Sequence, residues 1–198
     1  MRPAAHSQAL QETMPAMSEH YLYPGMLFAE PEPHRVTTVL GSCIAVCLFD
    51  PVRRVGGINH YMLPLWNGEG LPTPSYGSVA IDLLIDRLQS FGCLANRLQA
   101  KLFGGSAMWD NGNSLMSVGE RNIDIAGRML ERYNIPIVAQ DVGGGVSRKI
   151  IFFTATGEIL LRRHLGSAHN ESQVVADGTT ATSARKRLRS VAARPRCV

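Results

Sequence analysis

The sequence predicts an α+β layered fold, with two helices packed against a mainly antiparallel or mixed β-sheet. Three observations carry this. Short runs rich in β-branched and apolar residues, bounded by Gly, Pro and Asp turn signals, recur along the chain. Only two windows have helical spacing of apolar residues. The segments run strands, helix, strand, helix, strands, which is not the alternation of a doubly wound parallel sheet. At 198 residues with 45% hydrophobic and 18% charged residues, the chain suffices for one globular domain with a real core.

Taken in order, residues 1–20 have mixed polarity and no period, and are expected to be a flexible leader. They lack the continuous apolar core of a signal peptide, and no run approaches the roughly 20 apolar residues of a membrane helix. A cytoplasmic protein is expected. Residues 26–29 read as a short strand and residues 35–40 as a β-branched one. The apolar run 44–49 is long enough for one buried strand, and Asp50-Pro51 ends it. Residues 55–61 follow so closely that an antiparallel pair is the simplest arrangement. A Pro- and Gly-containing loop over 64–77 leads to a first helix over 78–91. Ser78 is its expected N-cap, Ile81, Leu84, Ile85 and Leu88 its buried face, and Gly92 its stop. Residues 99–103 form a strand ending at Gly104-Gly105, and 108–117 a polar loop. A second helix over 119–133 carries Ile123, Ala126, Leu130 and Tyr133 as its stripe, ended by Asn134 and Pro136. A strand over 137–141 precedes Gly143-Gly144-Gly145, and a hairpin joins 148–154 to 158–164. About eight strands and two helices result. No internal repeat is present.

From residue 166 the chain is small, polar and finally basic, and disorder is expected. Six Lys or Arg against two acids there account for the whole net charge of +4. The excess charge describes a tail and not a basic binding face. The organisation is thus a leader at 1–20, a domain at 21–165 and a basic tail at 166–198.

The organising stretch is Thr37-Thr38-Val39-Leu40-Gly41-Ser42-Cys43, directly before the buried strand. Cys43 lies where a tight loop enters a rigid element, beside a Gly with no side chain to block a ligand. His60 follows on the neighbouring strand. A Cys, a His and an upstream Thr make a nucleophile, a base and an orienting group. Each has a plainer reading. Cys43 alone is by default an inert buried thiol, His60 alone a structural histidine, and Cys47 core packing. Thr37 and Cys43 share a face only if the strand stays regular across Gly41. His34 and His164 are rival bases with weaker positional arguments. Gly104-Gly105 and Gly143-Gly144-Gly145 lack the phosphate-loop pattern, and read as turns or cleft walls. The four scattered Cys do not suggest a disulfide framework.

The ordered set Thr37 to Cys43, Asp50-Pro51 and His60-Tyr61-Met62-Leu63-Pro64 resembles the chemoreceptor glutamine deamidases called CheD. Further pieces match in order: Lys101 to Met108, Gly119-Glu120-Arg121-Asn122, and Asp141-Val142-Gly143-Gly144 with Arg148-Lys149. The resemblance covers about 21–165, with Val39 where many members have Gly. It implies hydrolysis of glutamine side-chain amides on methyl-accepting chemotaxis receptors. It also implies catalysis by Cys43, His60 and Thr37, and a fold similar to cytotoxic-necrotizing-factor-type cysteine deamidases. Some members bind the chemotaxis phosphatase CheC. The expected mechanism is a Cys43 thioester, with His60 creating the thiolate and Thr37 holding the imidazole. Backbone N–H groups around Ser42-Cys43 would receive the oxyanion, with Gly41 and Ser42 as the substrate- or oxyanion-binding residues. Such chemistry calls for no metal or cofactor. The tail is a candidate contact for an anionic membrane or receptor surface. Two other classes stay open: another cysteine amidase or protease, and a non-enzymatic chemotaxis adaptor using the same groove.

Overall fold

The computed structural model describes residues 17–107 and 116–164. The expected leader up to residue 16, much of the 108–117 loop and the basic tail lie outside the described residues. Nine strands and two α-helices build the described part: β1 (Ser18–Tyr21), β2 (Met26–Ala29), β3 (His34–Leu40), β4 (Ile44–Asp50), β5 (Val55–His60), α1 (Gly77–Ser90), β6 (Gln99–Gly104), α2 (Val118–Arg132), β7 (Ile137–Val142), β8 (Ser147–Phe153) and β9 (Ile159–His164). A single 3₁₀ turn, Ala95–Arg97, precedes β6.

The strands form two sheets and not one, in the orders β1-β3-β8-β9 and β2-β5-β4-β6-β7. The fold is α+β and layered. The β1–β3 and β6–β7 pairs are parallel, and the other pairings are antiparallel, as expected for β4–β5 and for the β8–β9 hairpin. Strand β1 crosses the expected boundary between leader and domain. Its side chains are exposed, so it gave no apolar pattern to read.

Strand β4 explains the layering. Ile44, Val46 and Leu48 join a core with α1 and α2 residues such as Ile81, Leu84, Ala126 and Leu130. Ala45 and Cys47 join a second core with Val36, Leu40, Ile150 and Phe152 of the other sheet. A strand covered on both faces reads as a continuous apolar run, because neither side can be polar. The layers are therefore helices, five-stranded sheet, four-stranded sheet.

Helix α1 begins one residue before Ser78. Its N-cap is Tyr76, with no side-chain cap bond, and the Ser78 hydroxyl instead accepts from Trp66 N–H at 3.4 Å. Its predicted buried face is the observed one. Helix α2 opens on a capping box: Ser117 accepts from Glu120 N–H, and Glu120 accepts from Ser117 N–H. Its buried residues are Gly119, Asn122, Ile125, Ala126, Met129 and Leu130. The stripe is thus rotated from the expected one, with Ile123 and Tyr133 at its margin. The rotation places an amide, Asn122, in the interior.

Glycines allow the closest approach. A Cβ on Gly119 would lie 2.4 Å from the Gly105 carbonyl oxygen, so the start of α2 rests directly on the backbone after β6. Gly104, at φ +107°, would put a Cβ 2.1 Å from the Cys43 carbonyl oxygen.

Candidate active site

Strand register puts Cys43 and His60 on one face. Ile44 and Tyr61 exchange backbone hydrogen bonds at 3.0 Å, and both side chains enter the helix-side core. Their neighbours Cys43 and His60 therefore project to the opposite face, between the two sheets, as diagonal partners across the β4–β5 pair. Cys43 is half-buried against the inter-sheet core. His60 is 1% exposed, so it is an interior residue.

The β4–β5 ladder opens beside His60. The Val46 N–H donates to the Asn59 side-chain oxygen at 3.0 Å instead of to a strand carbonyl. The His60 carbonyl accepts from Gly25 N–H at 2.7 Å. Asn59 thus acts as a wedge, and the imidazole stands where two strands part.

The third group comes from the other sheet. Thr38 Oγ1 lies 2.8 Å from His60 Nδ1 and donates its proton to the Leu22 carbonyl, also at 2.8 Å. A hydroxyl has one proton. With that proton on Leu22, the oxygen accepts from Nδ1–H, which leaves Nε2 as the bare lone pair. Nε2 is buried and has no hydrogen-bond partner among the described residues. The structure places Thr38, and not the expected Thr37, beside the imidazole. Val36, Thr38 and Leu40 point inward from β3, while Thr37 and Val39 take the other face. Thr37 offers its backbone carbonyl to Leu22 N–H at 2.9 Å, and its hydroxyl is turned away from the imidazole.

The rival histidines are remote. His34 opens β3, roughly 20 Å along the strand from the Gly41 loop, and its Nδ1 is 2.9 Å from the Glu32 carbonyl. His164 ends β9, two strands away from β3, and is exposed.

The loop carrying Cys43 is pinned by its carbonyls. Gly41 accepts from Ser106 N–H at 2.9 Å and Cys43 from Gly105 N–H at 2.8 Å. Ser42 accepts from the Asn122 side-chain amide at 3.0 Å. The Gly-rich segment 143–146 stands behind: Gly143 N–H donates to Gly104, and Gly144 accepts from Ala107 N–H. Arg148, itself buried, holds that segment through the Val146 and Gly143 carbonyls and pairs with Asp141 at 2.7 Å. These glycine segments are hydrogen-bonded backbone turns packed against the Cys43 loop.

Burial sets the protonation states. It pushes the Cys43 thiol above its ordinary value of 9.0, opposed by a bond from the residue's own backbone N–H. It lowers His60 to about 4, opposed by the Leu22 carbonyl. The resting pair is neutral thiol and neutral imidazole. The expected thiolate, formed in advance by His60, is not the state this environment favours.

Sequence reasoning did not single out Thr38 or Asn122, which the structure places against His60 and the Cys43 loop. Strand alternation could not choose between Thr37 and Thr38 without knowing which face of β3 is inward. Asn122 had a signal, a polar residue at helical spacing from Ala126 and Met129.

Comparison with known proteins agrees with the motifs. Residues 62–163 match a family model described as CheD chemotactic sensory transduction. A relative in Trichlorobacter lovleyi, named probable chemoreceptor glutamine deamidase CheD, is 48% identical over 145 residues, covering 73% of this chain and 90% of the relative. Proteins of the same name in Sulfurimonas denitrificans and Xanthomonas euvesicatoria are 44% and 40% identical, covering 72% and 84% of this chain and 92% and 81% of theirs. With over half of its length inside the family model and nine-tenths of a close relative covered, this chain is a member of the CheD family.

Proposed function

We propose that this chain is a chemoreceptor glutamine deamidase, converting selected glutamine side chains of methyl-accepting receptors to glutamates. The observation that carries the reading is the oriented imidazole. Thr38, whose own proton goes to the Leu22 carbonyl, accepts the Nδ1 proton; the buried Nε2, on the same sheet face as the Cys43 thiol, has no hydrogen-bond partner among the described residues.

An amide is a poor electrophile, so attack and proton transfer must be coupled. The Cys43 sulfur bonds to the carboxamide carbon while its proton passes to His60 Nε2. The carbonyl electrons move to oxygen, and backbone N–H groups at Ser42 and Cys43 receive that charge. The imidazolium returns the proton to nitrogen, the C–N bond breaks and ammonia leaves a thioester. Water, deprotonated by His60, attacks this thioester; the C–S bond breaks and the thiol regains its proton. Co-expression with a chemoreceptor, followed by peptide mass spectrometry, tests the reading. Each modified glutamine should gain the mass of an amide-to-acid exchange. An unmodified receptor would overturn the assignment.

The proposed catalytic domain is residues 21–165, in a cytoplasmic protein. The proposal includes a CheC-type phosphatase as partner, and the basic residues 185–196 as a contact for anionic membrane or receptor surfaces. No helix among the described residues is long and apolar enough to cross a membrane.

Thr38→Val should reduce kcat about 10²-fold, since the imidazole loses the group that fixes its tautomer. Thr37→Val should leave kcat within roughly twofold. Steady-state rates on a receptor fragment decide, and the reverse order would return the role to Thr37.

The neutral pair has a pH signature. Deamidation should lose its base only as the pH falls toward 4, not 6.5. Iodoacetamide alkylation of Cys43 should climb without a neutral-pH plateau, because the thiol titrates above 9.0. A plateau near neutrality would show a preformed thiolate. The same shift acts on stability. Between pH 6.5 and 4 the unfolded chain binds a proton on His60 that the folded chain refuses, so stability falls with pH across that window.

A further inference from the structure

The geometry points to Asn122 as a positioning residue that aims the oxyanion hole. The inference rests on the deamidase reading above.

Asn122 is fully buried on the first turns of α2. Its Nδ2 donates both protons, to the Ser42 carbonyl at 3.0 Å and the Met62 carbonyl at 2.9 Å. These partners fix which end of the amide is nitrogen, because a flipped oxygen would face two carbonyl oxygens. The backbone oxygen of Asn122 accepts from the Tyr61 hydroxyl at 2.6 Å. One helical residue therefore binds the peptide group before Cys43 and the stretch just after His60.

Peptide geometry supplies the consequence. In a trans peptide the C=O and the following N–H point in opposite directions. With the Ser42 carbonyl drawn toward α2, the Cys43 N–H must point away from the helix, to the face carrying the sulfur. Two facts agree. That direction fits the lowering effect that the residue's own backbone has on the thiol, against the rise from burial. The Cys43 N–H also donates to no backbone carbonyl among the described residues. The donor is aimed at the atom that attacks, where the carboxamide oxygen becomes an oxyanion. A rotated Ser42–Cys43 peptide would present a carbonyl there and repel that charge.

The test uses the full chain with Asn122→Ala and the isosteric Asn122→Asp, which loses both N–H donors. Three quantities are read: kcat and KM on a receptor fragment, the rate of Cys43 alkylation by iodoacetamide, and the affinity of a receptor peptide carrying an aldehyde in place of the glutamine carboxamide. Alkylation builds no oxyanion, whereas aldehyde capture does. Either variant should lower kcat about tenfold to a hundredfold with KM nearly unchanged. Aldehyde affinity should fall by a similar factor and alkylation should be retained. In Asn122→Asp, activity should partly return as the pH is lowered and the carboxyl regains a proton to donate, a profile that loss of packing would not produce. If Asn122→Ala does not fold, Asn122→Asp carries the test. The inference is overturned if alkylation falls in step with kcat, or if kcat and aldehyde affinity are unchanged. If the wild-type protein deamidates no receptor, the functional reading fails by itself, and wild-type against variant aldehyde capture still decides the role of Asn122.

Discussion

Cys43→Ala is expected to abolish receptor deamidation, by at least about 10³-fold, while leaving the fold intact. The thiol is half-buried and packs only at the border of the inter-sheet core. Removing one sulfur there leaves a gap that solvent can reach, so the midpoint of urea unfolding should barely move. The carbonyl of residue 43, which does bear on the fold, is untouched by the change. The loss is therefore chemical. Cys47 and Cys93 do not substitute, since both are buried free thiols, and Cys47 lies deep between the sheets. Receptor peptides isolated with the variant should retain the amide mass at every site that the wild-type protein converts. Retained conversion would remove Cys43 as nucleophile and, with it, the thioester route.

Gly104→Ala is expected to be the most destabilising single methyl in the described part of the chain, at about 3–5 kcal/mol. Two penalties combine. The backbone at φ +107° is one that side chains rarely adopt, and the new Cβ would stand 2.1 Å from the Cys43 carbonyl oxygen. Relief requires that carbonyl to move, so the damage reaches the nucleophile. A typical domain has about 5–15 kcal/mol of stability, so the variant should unfold at much lower urea and lose activity even where it is folded. Gly41 is the control. Its Cβ would meet nothing within 4 Å and its φ is ordinary, so Gly41→Ala should not destabilise the fold. Equal urea midpoints for the two variants would show that the close approach at Gly104 does not constrain the Cys43 loop.

Much of this arrangement is written in local pattern. Ile81, Leu84, Ile85 and Leu88 reveal the inner face of α1 because helical periodicity depends only on near neighbours. Cys43 and His60 stand out because a tight loop and a short hairpin bring them together within 17 residues of chain. What depends on distant pairing was not legible. The division into two sheets follows from β3 pairing with β8, over a hundred residues away. That division also decides which threonine looks inward. Thr37 and Thr38 are chemically identical in the sequence, and only the docking of β3 onto β4 and β5 separates them. Asn122 was similarly hidden, since a polar residue on a helix reads as solvated until its stripe is seen to face the strand ends.

The origin of the three groups has one more consequence. Sulfur and imidazole come from one sheet, and the hydroxyl that holds the imidazole comes from the other. Under the proposed mechanism, the enzyme is competent only while both slabs are seated together. A chain that has formed all its strands and helices but not yet closed that seam would hold every required atom and still be inert.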